Sequence, residues 1–145
     1  MKSCIQRVNE ASVWIKDQCF NHIQQGLLVY LCIEKDDPNE IITQHAKKIL
    51  KLRLFKNKEG QYVSLKDIKG ECLIISQFTL SASIKKGNRP DFSAAETPKD
   101  AKKGYELFIT TCNNSYEKEK IKTGIFGEKM KVHSINDGPF TLLQF

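Results

Sequence analysis

Chemistry in a short chain rests on a handful of side chains, and here the usual ones are scarce. Histidine, the commonest general base, occurs three times, as His22, His45 and His133. None stands beside a serine or cysteine in a nucleophile motif, and each reads as structural or solvent-facing. There is no HExxH, no HxxxH and no carboxylate cluster at metal spacing, so no metal site is expected. Neither a P-loop nor GxGxxG is present, and no cofactor is expected.

Two segments stand out instead. In Ser76-Gln77-Phe78-Thr79-Leu80 a polar run follows directly on the apolar Cys72-Leu73-Ile74-Ile75. Composition alone reads this as a strand end emerging into solvent. A threonine hydroxyl is a weak nucleophile without an adjacent base, and no base for Thr79 is evident. In Asn136-Asp137-Gly138-Pro139 the residue types are those of a hairpin turn. An X-Pro bond can also be cis at modest cost. Gly138, with no side chain, would let such a turn bring backbone carbonyls near a ligand.

Elements of mixed type must position these segments. Cys4–Val8 and Ala11–Ile15 read as short strands with a turn at Asn9-Glu10, and Gln18–Ile23 as a weaker strand. Leu27–Ile33 is a continuous apolar run, as expected of a strand covered on both faces. Asp37 as cap and Pro38 at the first helical position predict a helix start. Ile41, Ile42, Ala46, Ile49, Leu50 and Leu54 would line its buried side. Asn57-Lys58-Glu59-Gly60 is a turn, and Cys72–Leu80 reads as one strand. Thr97-Pro98-Lys99-Asp100 starts a second helix running to about Tyr116, with Ala101, Tyr105, Phe108, Ile109 and Cys112 facing inward. Lys129–Ile135 and Phe140–Phe145 read as two strands joined by the Asn136–Pro139 turn. The sum is one α+β domain over residues 1–145, a sheet that can curl into a barrel with two main helices packed outside.

The whole chain bounds the function. Its 145 residues suit one core. The longest apolar run, Gly26–Ile33, is too short to cross a bilayer, and no targeting segment is evident. Five scattered cysteines, an odd number, fit buried reduced thiols in the cytoplasm. The net charge of +6 fits a polyanionic partner, nucleic acid being the commonest. Lys85, Lys86 and Arg89 share a loop with Gly87 and Pro90, so they could meet phosphates together or form a solvated basic loop.

Taken in order, these segments resemble the D-aminoacyl-tRNA deacylase family, which is marked by Ser-Gln-Phe-Thr and Asn-x-Gly-Pro-x-Thr. Both stand complete, as Ser76–Thr79 and Asn136–Thr141. The likeness extends to Ile5-Gln6-Arg7-Val8, Ala11-Ser12-Val13, Lys86–Phe92, and Gly124-Ile125-Phe126-Gly127 with Met130. It implies a hydrolase that cleaves the ester of D-aminoacyl-tRNAs, D-tyrosyl among them, and of glycine mischarged on alanine tRNA.

It also implies a homodimer with active sites at the interface. Gly138 and Pro139, joined by a cis bond, would enter the partner's pocket and exclude L-side chains, with Asn136 in the same motif and Arg7 locking the turn. Ser76, Gln77, Phe78 and Thr79 would carry catalysis, and Phe78, Phe126 and Met130 would shape the pocket for the terminal adenosine. The acceptor stem would meet Lys85, Lys86 and Arg89. A sister group that edits L-alanine carries Pro-Gln-Ala-Thr and a trans Gly-Pro bond, so Ser76 and Phe78 side with the D-specific group. The alternative is a non-catalytic nucleic-acid-binding protein of the same fold.

Overall fold

Fourteen consecutive residues form the first strand, β1 (Lys2–Ile15), and this strand organises the sheet. The computed structural model describes residues 1–85 and 87–145, so Lys86 lies outside the described residues. Along one edge β1 pairs antiparallel first with β3 (Gly26–Cys32) and then with β2 (Gln18–Ile23). Along the other edge it pairs with β8 (Lys131–Gln144) over nearly its whole length. Beyond β3 the sheet continues in parallel to β6 (Glu71–Ser76) and β7 (Ile121–Thr123). A separate two-stranded hairpin, β4 (Arg53–Lys56) with β5 (Tyr62–Ser64), forms around the expected turn at Asn57–Gly60.

The apolar run of β3 is buried on both faces. Leu27, Val29 and Leu31 face the helices α1 (Asn39–Lys51) and α2 (Pro98–Ser115), together with Ile42, Ile49 and Phe108. Leu28 points to the other side, against Val8, Val13, Leu73 and Ile75. Each such side chain, buried completely, contributes on the order of 2–3 kcal/mol. This two-sided core fixes the strand ends of β3 and β6, and the candidate site sits at those ends. The fold is α+β, a curled sheet with two helices outside.

Four local expectations are corrected. No turn interrupts β1 at Asn9-Glu10; the local irregularity appears as shifts in its register with β8. Asp37 does not cap α1, whose N-cap is Pro38 with no side-chain bond. Its carboxylate accepts instead from the Glu34 N–H at 2.7 Å and the Met1 ammonium at 2.6 Å, stronger partners than a helix end. Leu54 belongs to β4, since the chain leaves the helix at Leu52. The two C-terminal strands are one, β8, and Asn136–Pro139 is no hairpin. By contrast Thr97 caps α2, its hydroxyl accepting from the Asp100 N–H at 3.3 Å.

Candidate active site

The strand β6 stops at Ser76, four residues short of the sequence expectation, because the chain turns where the core ends. Gln77 still donates its N–H to the Leu31 carbonyl at 2.7 Å. Phe78–Ser81 then forms a 3-10 turn. The buried Ser81 hydroxyl donates to the Phe78 carbonyl at 2.8 Å, and the Cys32 thiol reaches the same oxygen at 3.5 Å. Burial pushes the Cys32 thiol up, so it acts as a neutral donor and not as a nucleophile.

A 3-10 turn leaves its first N–H groups without partners inside the turn. The N–H groups of Phe78 and Thr79 have no acceptor among the described residues. They form a pair of adjacent backbone donors at a strand end. The Thr79 hydroxyl accepts from the Gln77 side-chain amide at 2.5 Å. No histidine or carboxylate among the described residues hydrogen-bonds to it.

Beside this turn lies a cavity of about 710 Å³. Ser76, Gln77 and Phe78 line one side, Tyr105 and Ala101 of α2 another, and Phe126 and Met130 a third. Gly124 makes the third wall possible. Its N–H bonds the Ile74 carbonyl at 3.2 Å, and a Cβ there would stand 2.4 Å from the Met130 sulfur. The Tyr105 hydroxyl donates to the Ile74 carbonyl at 2.8 Å, which leaves its ring packed on Phe126 at 5.7 Å. Burial keeps that phenol protonated, well above its ordinary range.

In the sequence Phe92 carries only the family likeness, yet its ring meets Phe78 edge-on at 5.3 Å. It ends the basic loop, whose neck is closed by reciprocal bonds between Ser83 and Asp91 at 2.8 and 2.9 Å. Exposed Lys85 and Arg89 therefore stand on a loop anchored at the cavity wall. The third cation named for this loop, Lys86, lies outside the described residues.

The second motif forms a protrusion from β8. Gln6 pairs with Thr141 and Val8 with Asn136. Between these pairs Arg7 alone faces Asp137, Gly138, Pro139 and Phe140, so the chain must loop out. The motif's terminal residues close the neck. The Thr141 hydroxyl donates to the Asn136 side-chain oxygen at 3.3 Å and lies 3.3 Å from the Gln6 amide. The Gly138-Pro139 bond is cis. Arg7 donates to the carbonyls of Asp137 at 3.2 Å and Gly138 at 2.9 Å, and pairs with the Asp137 carboxylate at 2.7 Å. A Cβ built on Gly138 would meet nothing closer than Asn136 Nδ2 at 3.9 Å. Among the described residues nothing demands glycine there.

The chain does not bring its two motifs together. Ser76, Gln77, Phe78, Phe126 and Met130 line the cavity, whereas Arg7, Asn136, Gly138 and Pro139 do not. The exposed His22 and His133 flank Ser12 in neighbouring strands and line a separate cleft of about 420 Å³. Tyr105, Phe92 and Cys32 in the cavity, and Phe140 and Leu54 around Arg7, had no assigned site role from sequence; their contacts arise across many intervening positions.

Comparison with known proteins places this arrangement. A family model described as D-Tyr-tRNA(Tyr) deacylase matches residues 4–144. The chain belongs to the D-Tyr-tRNA(Tyr) deacylase family. The D-aminoacyl-tRNA deacylase of Thermosipho africanus is similar to it, with 46% identity over 99% of this chain and 95% of that protein. The D-aminoacyl-tRNA deacylase of Schizosaccharomyces pombe shares 44% over 99% of this chain and 97% of its own length. Among solved structures, the c-Myc DNA Unwinding Element Binding Protein superposes with a TM-score of 0.95 at 37% identity, covering 100% of this chain and 98% of that one. A probable eukaryotic D-amino acid tRNA deacylase superposes with a TM-score of 0.86 over 99% of this chain and 97% of its own. At 15% identity that second likeness speaks for the fold alone. For this family member, no helix among the described residues is long and apolar enough to cross a membrane.

Proposed function

We propose that this chain hydrolyses the ester of D-aminoacyl-tRNA and works as a homodimer, each Gly138-Pro139 loop entering the partner's cavity. One observation carries the reading. The Gly138 carbonyl is held by Arg7 on a protruding loop, yet the chain leaves open space where a side chain at 138 would go. That space leaves the Gly138 carbonyl and the small glycine free to enter a partner's cavity. Exposed apolar side chains give the second subunit a surface to cover: Ile135, Leu143 and Phe145 on or just beyond β8, and Phe78 at the cavity.

In this reading the Phe78 ring, Phe126 and Met130 receive the terminal adenosine, leaving the ester beside the Phe78 and Thr79 N–H groups. Those donors stabilise the oxyanion of the tetrahedral intermediate. Ser76 and Gln77 position the substrate, and the ribose 2′-hydroxyl helps activate water. The Gly138-Pro139 wall excludes an L-side chain, while a D-side chain points to free space; selection is by exclusion. Glycine has no side chain to exclude, so glycyl esters, including those mischarged on alanine tRNA, are also accepted. Lys85 and Arg89 hold the acceptor stem by its phosphates.

Deacylation of D- and L-tyrosyl-tRNA by the purified protein tests this reading. Rapid loss of the D-ester with a stable L-ester is expected. Equal rates would end the chiral claim, and two stable esters would leave nucleic-acid binding without catalysis.

A further inference from the structure

The grip on the Gly138-Pro139 loop does not end at Arg7. A third bond from the guanidinium, through Nη1, runs to the Leu54 carbonyl of β4 at 2.5 Å. Its face lies over the Phe140 ring, 4.6 Å from the centroid. Phe140 in turn meets Tyr62 of β5 edge-on, with centroids 5.8 Å apart and planes at 89°. The small β4–β5 hairpin shares no backbone ladder with the main sheet. It nevertheless touches the loop's supports at two points, the Leu54 main chain through Arg7 and the Tyr62 ring through Phe140.

We infer that Tyr62 is a positioning residue for chiral selection: by bracing Phe140 it fixes the plane of Arg7 and, through Arg7, the Gly138 carbonyl. The inference rests on the reading that this loop selects between D- and L-esters. The Leu54 carbonyl anchors one corner of the guanidinium, about which its plane can still tilt with the loop that takes its other donors. A ring packed on its face removes that freedom only if the ring is itself held. The main core holds Phe140 from one side, and Tyr62 completes the hold by meeting the ring in the edge-to-face arrangement that aromatic quadrupoles favour. The core does not explain Tyr62, which is 49% exposed. Its hydroxyl has no hydrogen-bond partner among the described residues, so the ring and not the phenol is the working part. Exclusion of a side chain by a wall needs that wall fixed to within a fraction of an ångström.

The test measures the ratio of D- to L-tyrosyl-tRNA deacylation rates for the full-length protein and its Tyr62→Ala and Tyr62→Phe variants. Circular dichroism checks that each is folded. Tyr62→Ala is expected to lower the ratio on the order of three- to tenfold, through faster loss of the L-ester, as loss of one aromatic pair implies. Tyr62→Phe is expected to restore it. A merely structural role would lower both rates together and leave the ratio unmoved, and that result overturns the inference. So does a Phe variant that behaves like the Ala variant. An unselective wild-type protein would instead overturn the underlying reading, and this inference with it.

Discussion

Arg7 and Gly138 stand 131 positions apart, and a 2.9 Å hydrogen bond from the guanidinium to the glycine carbonyl joins them. With the bonds to the Asp137 and Leu54 carbonyls and the ion pair to the Asp137 carboxylate, one side chain organises the whole protrusion. Lysine presents a point charge in place of a planar fork. Arg7→Lys is therefore expected to keep the charge and lose the geometry. Hydrogen bonds of a charged donor contribute about 1.5–3 kcal/mol each when both partners are held. The variant should lose about 2 kcal/mol in urea unfolding, and its preference for the D-ester should fall at least tenfold. A variant with native selectivity would show that the loop holds itself.

What the sequence showed of this arrangement was its local part. The amphipathic spacing of Ile42, Ala46, Ile49 and Leu50 located α1, and the unbroken run of β3 revealed a strand covered on both faces. Local residue types misled where pairing across the sheet decides. Asn9-Glu10 and Asn136–Pro139 carry turn chemistry, but turns and bulges draw on the same residues. Only the register of β1 against β8 separates them. The end of β6 at Ser76 depends on Ser81 and Cys32 gathering the Phe78 carbonyl, which no alternation of polar and apolar residues reveals. The motif residues themselves were legible through family resemblance, whereas Tyr62 and Leu54 carry no such mark.

Backbone donors at the 3-10 turn make a distinctive prediction. Phe78→Ala and Phe78→Pro both remove the ring, but only proline removes the N–H. Proline suits the first position of a helical turn, and Gln77 before it is already non-helical at φ −146° and ψ 81°. The proline variant should therefore be slower in kcat than the alanine variant by about 10²- to 10³-fold. Thr79→Ala should keep substantial activity, and a tRNA ending in 2′-deoxyadenosine should be a poor substrate. Loss of turnover in Thr79→Ala with binding intact would make the hydroxyl the nucleophile.

Electrostatic contact through the Ser83–Asp91 loop is open to a salt titration. Replacing both Lys85 and Arg89 by Gln removes the two proposed phosphate contacts. The slope of log affinity against log salt should then become shallower by roughly 1.5–2. Weakening should be uniform across tRNA species, because phosphates carry no sequence. An unchanged slope would remove this loop from the interface.

Acid should weaken the fold through His45. The imidazole lies buried against the Ser3 hydroxyl at 2.9 Å, and burial, helped by the N-terminal ammonium and Lys48, lowers its pKa from 6.5 to about 4. The folded state therefore keeps the ring neutral while the unfolded chain takes up a proton below 6.5. His45's contribution is present in full above that value and is lost as pH falls to about 4, below which both states are protonated. The loss is about 3 kcal/mol. Urea midpoints measured from pH 7 to 4 should fall more steeply for the wild type than for His45→Gln. Parallel curves would assign the acid sensitivity to other groups.

The proposed cross-subunit assembly of the site predicts complementation between two defective chains. Gly138→Ala should fold normally, because the new methyl meets nothing closer than 3.9 Å among the described residues, yet it should lose most activity by intruding on the partner's cavity. Phe78→Pro should be inactive for the opposite reason, a damaged donor pair beside a sound loop. Mixed dimers then contain one site with an intact turn from the first chain and an intact loop from the second. The companion site carries both defects. Random assortment makes half the dimers mixed, with one of two sites restored, so about a quarter of wild-type activity should return. Differently tagged chains, unfolded together and refolded, allow the mixed species to be isolated and assayed. Mixed dimers no more active than the parents would place each loop in its own subunit's site, and a monomer by light scattering would remove the dimer altogether.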